Sequence, residues 1–225
     1  MDEKQLLKTA LFKGMDKDEL GQSLHALHAR ERHFDKGETI LHVGRSTHEM
    51  GLVLSGSVRI ESLDEMGNRT ILNLIVPGQY FAEAYALLGT EPTLVEVAAN
   101  EPTRILFLDL QNLKPGSCRC GGWETKVLYN LTLLGAQKNL ALSRRSFFTS
   151  SRTIRSRVLA YLRFAALKKG SRVFEIPFDR QQLADYLNVE RSALSKELGR
   201  MKKEGLIAFE KNHFELLDPA KRDLL

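Results

Sequence analysis

Phe178–Ile207 reads FDRQQLADYLNVERSALSKELGRMKKEGLI, and two apolar rhythms run through it, separated by one turn. Gln182, Leu183, Tyr186 and Leu187 mark a first short helix, with Asp179 as its N-cap. Asn188 tolerates the left-handed conformation that ends such a helix. A second helix starts around Glu190–Arg191 and keeps Leu194, Leu198 and Met201 on one face. Ala184 is small at the point where the two helices would cross. Two short helices joined this way make a helix-turn-helix. Opposite the leucines, the second helix carries Arg191, Ser192, Ser195 and Lys196. Arg and Lys donate to guanine O6 and N7, and Ser hydroxyls serve bases or phosphates. Arg180, at the start of the first helix, is placed to meet backbone phosphate. Gly205–Ile207 then opens a hairpin that turns at Lys211–Asn212 and returns through Phe214–Leu217, which is a wing. Most paired helices are plain packing; here the exposed bases, the Asn turn and the wing coincide, which points to DNA.

Working upstream, Phe174–Ile176 reads as a short strand before Pro177. Ile154, Val158, Tyr161, Leu162 and Ala165 mark an amphipathic helix that ends at Lys168–Lys169–Gly170, with cations at its negative end and Gly past it. From Trp123 to Phe148 no Pro occurs, and Val127, Leu131, Leu134 and Ala141 follow intervals of four, three and seven. That seam suits a long helix pairing with a second copy of the chain. The alternative is a helix lying on its own β domain.

The N-terminal half has a different period. Leu6, Leu7, Leu11, Leu20, Leu24 and Leu27 give the first 30 residues a helical rhythm, and alternating runs begin at Phe34. Val58–Ile60, Ile71–Val76, Val95–Val97 and Ile105–Leu108, punctuated by glycines, predict short antiparallel strands in a sandwich or barrel. Met66–Gly67–Asn68 is the expected tip of one hairpin.

Charge is divided in the same way. The 225 residues carry a net charge of +5, yet residues 144–225 hold 18 Lys and Arg against 10 Asp and Glu. A basic third on a mildly acidic body suits a polyanion, or else a merely solvated surface. No run approaches the roughly 20 apolar residues that span a bilayer, and MDEKQLLKTALFKG is not a signal sequence, so no membrane role and a cytoplasmic location are expected. No nucleophile–base signature, phosphate loop or metalloprotease motif points to an enzyme.

With these residues in hand, the chain resembles the CRP/FNR family of bacterial regulators over nearly its whole length. KGETILHVG, MGLVLSGSVRI and GNRTILNLIVPGQYFAE carry the resemblance in the first half; TIRSRVLAYL and RQQLADYLNVERSALSKELGRMKKEGLI carry it in the second. The resemblance implies an α+β chain. A β-roll sensor would span residues 1–115, a hinge loop and dimerisation helix 116–148, and a winged helix-turn-helix 149–225. It implies a homodimer on a two-fold symmetric operator of double-stranded DNA, with RNA polymerase as a partner and activity, as activator or repressor, set by an effector. The competing reading is a β-roll module that regulates through protein partners.

Three departures bound the effector. Cyclic-AMP-binding members hold the ribose with a Glu and the phosphate with an Arg ten residues later. Here Glu83 is followed at that distance by Thr93 and then Leu94. A neutral Thr cannot replace a guanidinium at a phosphate, so cyclic AMP is not expected. Iron–sulfur members carry an N-terminal cysteine cluster, which this N-terminus lacks, so no such cluster is expected either. Oxygen-sensing members read DNA through Glu-x-x-Ser-Arg, where this chain has Ser192–Lys196, so no operator transfers from either branch. The default effector site is an apolar pocket inside the roll at Tyr80, Phe81, Glu83, Thr93 and Leu94. Cys118 and Cys120 sit near Arg119 and Lys126, which favour thiolate, and are candidates for a redox or metal switch as well as for incidental loop thiols. His25 and His28 on the expected first helix, and His42, are candidate metal or haem ligands, or ordinary surface histidines. The sequence does not name the cofactor.

Overall fold

The glycine-spaced runs of the first half become eight short strands in a computed structural model that describes residues 3–63, 69–113 and 122–217. They are β1 (Arg30–Phe34), β2 (Thr39–Leu41), β3 (Glu49–Ser55), β4 (Val58–Leu63), β5 (Arg69–Ile75), β6 (Tyr80–Phe81), β7 (Glu96–Ala99) and β8 (Thr103–Asp109). All pair antiparallel, in two four-stranded sheets of order β1-β8-β3-β6 and β2-β7-β4-β5. Side chains alternate across a strand, so each sheet sends one set inward. Phe34, Val53, Ile105 and Phe107 from the first sheet meet Val58, Ile75 and Val97 from the second in a shared core. The first sheet is buried on its other face too, where Met50, Leu52, Leu106 and Leu108 lie. That double burial explains why Met50–Val53 reads as a continuous apolar run. Gly51 belongs to it because Phe81 pairs opposite, and a Cβ on Gly51 would lie 2.1 Å from the Phe81 ring. The expected tip at Met66–Asn68 lies outside the described residues.

The N-terminal segment covers that second face, but not as one helix. Only α1 (Glu3–Leu6) and α2 (Lys17–Ala26) are helical. Gly14 takes a positive φ of 82°, and Asp16 starts α2 afresh by accepting the Glu19 N–H at 2.9 Å. Leu11 and Phe12, in the turn between, are fully buried with Leu6, Leu20 and Leu27. The leucine rhythm was therefore a record of burial, not of continuous helix. α2 also stops before His28, which has φ 46°, so His25 and His28 do not share a helix face. Helix α3 (Glu83–Leu88) follows β6.

α4 (Trp123–Ser150) is the long helix. Its expected dimer seam needs correction. Val127 and Leu131 are buried in the core beneath the first sheet, at 0% and 6% exposure, and Leu134 packs against the same cluster. Ala141 is exposed and belongs to no cluster. Val127, Leu131 and Leu134 serve the chain's own β domain, because a helix that starts at Trp123, itself buried there, must turn its first turns inward. Asn130 fixes the packing by donating to the Leu11 and Lys13 carbonyls at 2.7 and 3.0 Å.

Two units result, residues 1–136 and 137–225, with the boundary inside α4. In the second are α5 (Ile154–Lys169), β9 (Val173–Glu175), α6 (Arg180–Leu187), α7 (Arg191–Lys203), β10 (Ile207–Glu210) and β11 (His213–Leu216). Its core joins Phe148, Val158, Leu162, Phe174, Leu183, Leu187, Leu194, Leu198, Ile207 and Phe214. Each such side chain, fully buried, contributes about 1.5–3 kcal/mol.

Candidate nucleic-acid interface

α6 and α7 form as their caps require. Asp179 accepts the Gln182 N–H at 2.8 Å while the Gln182 side chain accepts the Asp179 N–H at 2.9 Å, a reciprocal capping box. Asn188 ends α6 in the left-handed region, at φ 53° and ψ 55°. Glu190 then starts α7 by accepting the Ser192 and Ala193 N–H groups, both at 2.8 Å. Ala184 is fully buried, which lets the two helices approach. The third sheet, of order β10-β11-β9, places the wing beside them and turns at Lys211, whose φ is 51°.

Arg191, Ser192, Ser195 and Lys196 are all exposed on α7. The hydroxyl protons of the two serines are already committed. Ser192 Oγ donates to Glu190, and Ser195 Oγ donates to the Arg191 carbonyl at 3.0 Å. Arg180 is half-buried, its guanidinium 5.0 Å from the Phe209 ring centroid, and Lys202 Nζ stands 5.2 Å from the same ring. Burial, and then repulsion from Arg191, lowers the pKa of Arg180. Arg180 and Arg191, cations that repel each other, gain from an anion placed between them. Glu190 is held below the usual carboxylate range by the Ser192 hydroxyl first, then by the two backbone N–H groups.

Not every base in the C-terminal third faces outward. Arg155 donates to Glu204 through both terminal nitrogens, at 2.7 and 2.9 Å, and to Glu197 at 2.6 Å, tying α5 to both ends of the second half of α7. Arg145 donates to the Asp185 and Tyr186 carbonyls at 3.1 and 3.2 Å. Arg157 donates to the Leu187 and Asn188 carbonyls at 3.2 and 2.8 Å. A helix C-terminus leaves four carbonyls without partners and carries a negative dipole end, and these two arginines fill it for α6. Sequence reasoning counted all three as footprint. The available signal was an Arg near each end of the α4–α5 junction, with a helix end at Leu187 that has no base of its own to satisfy it.

The other predicted site residues do not gather in one place. Tyr80 and Phe81 are core residues of two different clusters, and the Tyr80 hydroxyl accepts the Leu11 N–H at 3.1 Å. Neighbouring strand residues point to opposite faces, so the pair cannot line one pocket. Glu83 opens α3 and is half-buried. Thr93 is buried, and its hydroxyl donates to the His42 carbonyl at 2.7 Å, while Leu94 is 77% exposed. His42 is exposed, and among the described residues no three His, Cys, Asp or Glu side chains come together as a metal site. Cys118 and Cys120 lie outside the described residues.

The family model for the cyclic nucleotide-binding domain matches residues 31–115, and the model for the Crp-like helix-turn-helix domain matches residues 156–221. The chain belongs to the CRP/FNR family of transcriptional regulators. It is a DNA-binding regulator and not an enzyme. The nitrogen fixation regulation protein FixK of Bradyrhizobium diazoefficiens is 25% identical over 222 residues, covering 96% of this chain and 90% of that one. The transcriptional activator protein FnrL of Cereibacter sphaeroides is 24% identical, covering 84% and 77%. Among solved structures, CprK in complex with OCPA shares the fold at a TM-score of 0.64 with 16% identity, covering 90% of each chain. Among the described residues no helix is long and apolar enough to cross a membrane.

Proposed function

We propose that this regulator works as a homodimer whose two α7 helices read a two-fold symmetric operator, acting on RNA polymerase in the cytoplasm where the DNA lies. The observation that carries the reading is the exposed face of α7, with Arg191 and Lys196 free of acidic partners in the hydrogen bonds and ion pairs described. Dimerisation is supported by a second apolar stripe on α4. Tyr129, Leu133, Leu140 and Phe147 are 63%, 43%, 53% and 67% exposed, and with Ala136 they follow heptad spacing.

Binding to single-base variants of a selected operator at two salt concentrations tests the reader. Arg191→Ala and Lys196→Ala should each cost about 1–3 kcal/mol and relax preference at one half-site position. Arg180→Ala should weaken all duplexes alike and reduce the salt slope by about one unit, as expected of a phosphate contact. Uniform losses from all three would transfer the reading role from α7 to the wing at Lys211.

The effector we propose is not cyclic AMP. At the position that the family uses for its phosphate arginine, Thr93 is buried and its hydroxyl already serves the His42 carbonyl. Calorimetry with cyclic AMP should therefore show no binding at micromolar concentration. A clear isotherm would mean that another cation supplies the clamp.

A further inference from the structure

The serine hydrogen bonds on α7 have a polarity that goes beyond simple contact with DNA. A carboxylate and a carbonyl can only accept, so in both pairs the serine must be the donor. Glu190 draws the Ser192 proton inward, and the Arg191 carbonyl draws the Ser195 proton inward at 3.0 Å. Each exposed Oγ is left with lone pairs and no proton to offer. Beside them, Arg191 and Lys196 are donors without acceptor capacity. Positions four apart are neighbours on a helix, so donor Arg191 lies over acceptor Ser195, and acceptor Ser192 lies over donor Lys196.

In the major groove, adenine N6 and cytosine N4 carry donors, while guanine O6 and thymine O4 accept. We propose that Ser192 and Ser195 select amino-bearing bases, adenine or cytosine, at one half-site position each, and that Glu190 is the positioning residue that gives Ser192 this polarity. The inference rests on α7 being the reader. Glu190 had no assigned role beyond starting the helix. Its carboxylate accepts two backbone N–H groups and one hydroxyl, which uses both oxygens and holds the side chain in place. The same bonds, the Ser192 hydroxyl first, lower the pKa of the Glu190 carboxyl and so favour its accepting, ionised form.

The test uses full-length protein and an operator selected from random duplexes, followed by a panel of transitions, C to T and A to G, that exchange an amino group for a keto group. The wild type should lose about fivefold in affinity at one position for each serine, the lower end of what a base contact supplies. Ser192→Ala, at an exposed helical site where Ala is well tolerated, should flatten its position and leave those of Arg191 and Lys196 unchanged. Glu190→Asn keeps a capping oxygen but is too short and uncharged to hold the hydroxyl. It should flatten the same position, and it should change nothing further in a Ser192→Ala background. A purely structural cap would not act through Ser192 in this way. Guanine or thymine preferred at the Ser192 position, or a preference that survives Ser192→Ala, overturns the assignment while leaving α7 as reader. Failure of the wild type to select any duplex overturns the reader itself.

Discussion

Leu140→Lys should convert the protein to monomers whose affinity for a full operator falls by about 100-fold or more. Two half-sites held by one dimer bind with the advantage of effective concentration, on the order of 100- to 10,000-fold, and a monomer forfeits it. Leu140 is 53% exposed in the middle of the Tyr129, Leu133, Ala136, Leu140, Phe147 stripe. In a parallel pair the two lysines would face each other across the two-fold axis, where like charges repel and no acid compensates. Leu142→Lys is the control, since Leu142 is 68% exposed but lies off the stripe, about half a turn round the helix from Leu140. Sedimentation of Leu140→Lys as an unchanged dimer would remove the stripe from consideration. Leu131→Lys is not an equivalent test, because Leu131 is 6% exposed in the chain's own core and a lysine there would disrupt folding.

Phe148→Ala should cost the C-terminal unit about 3–5 kcal/mol, as buried aromatic truncations do. Phe148 is 2% exposed, and its ring centroid lies 5.6 Å from Phe164, 5.7 Å from Tyr161 and 6.3 Å from Tyr186. Losing it leaves a cavity where α4, α5 and α6 meet. The single tryptophan, Trp123, is buried in the other unit. Urea denaturation should therefore show the far-ultraviolet signal losing helix early while the Trp123 fluorescence midpoint holds. Coincident shifts of both would mean that the two units unfold as one.

How much of this could be read in advance depended on whether one element determined its own form. Asp179, Asn188 and Lys211–Asn212 set the ends of α6 and the wing turn by local chemistry, and all appear where the sequence placed them. The long helix was legible as a helix but not as an interface. Val127 and Leu131 lie on one face, Leu133 and Leu140 on the opposite one, and both series repeat at three and four residues. Which series meets the chain's own sheet is decided by Trp123 and Asn130, residues whose partners lie far away in sequence. The same limit applies to Leu11, which keeps a helical spacing while sitting in a turn. The effector site was less legible still, because Tyr80 and Phe81 are adjacent in the chain yet belong to opposite sides of a sheet.

The arginines that fill the end of α6 bear on how the regulator can be governed at all. Arg145 comes from α4 and Arg157 from α5, and together they grip four successive carbonyls from Asp185 to Asn188; Arg157 also holds the Ser151 carbonyl at 2.8 Å. A swivel at the short α4–α5 joint would strip those carbonyls of their arginine donors. The tail of α4 and the reading head are thus a lever and its blade, cast in one piece. In a dimer, the spacing between the two blades on the DNA is then set by how far the paired handles splay. Under the proposed pairing, a small change in the angle of the handles would bring the blades into or out of step with successive turns of the double helix.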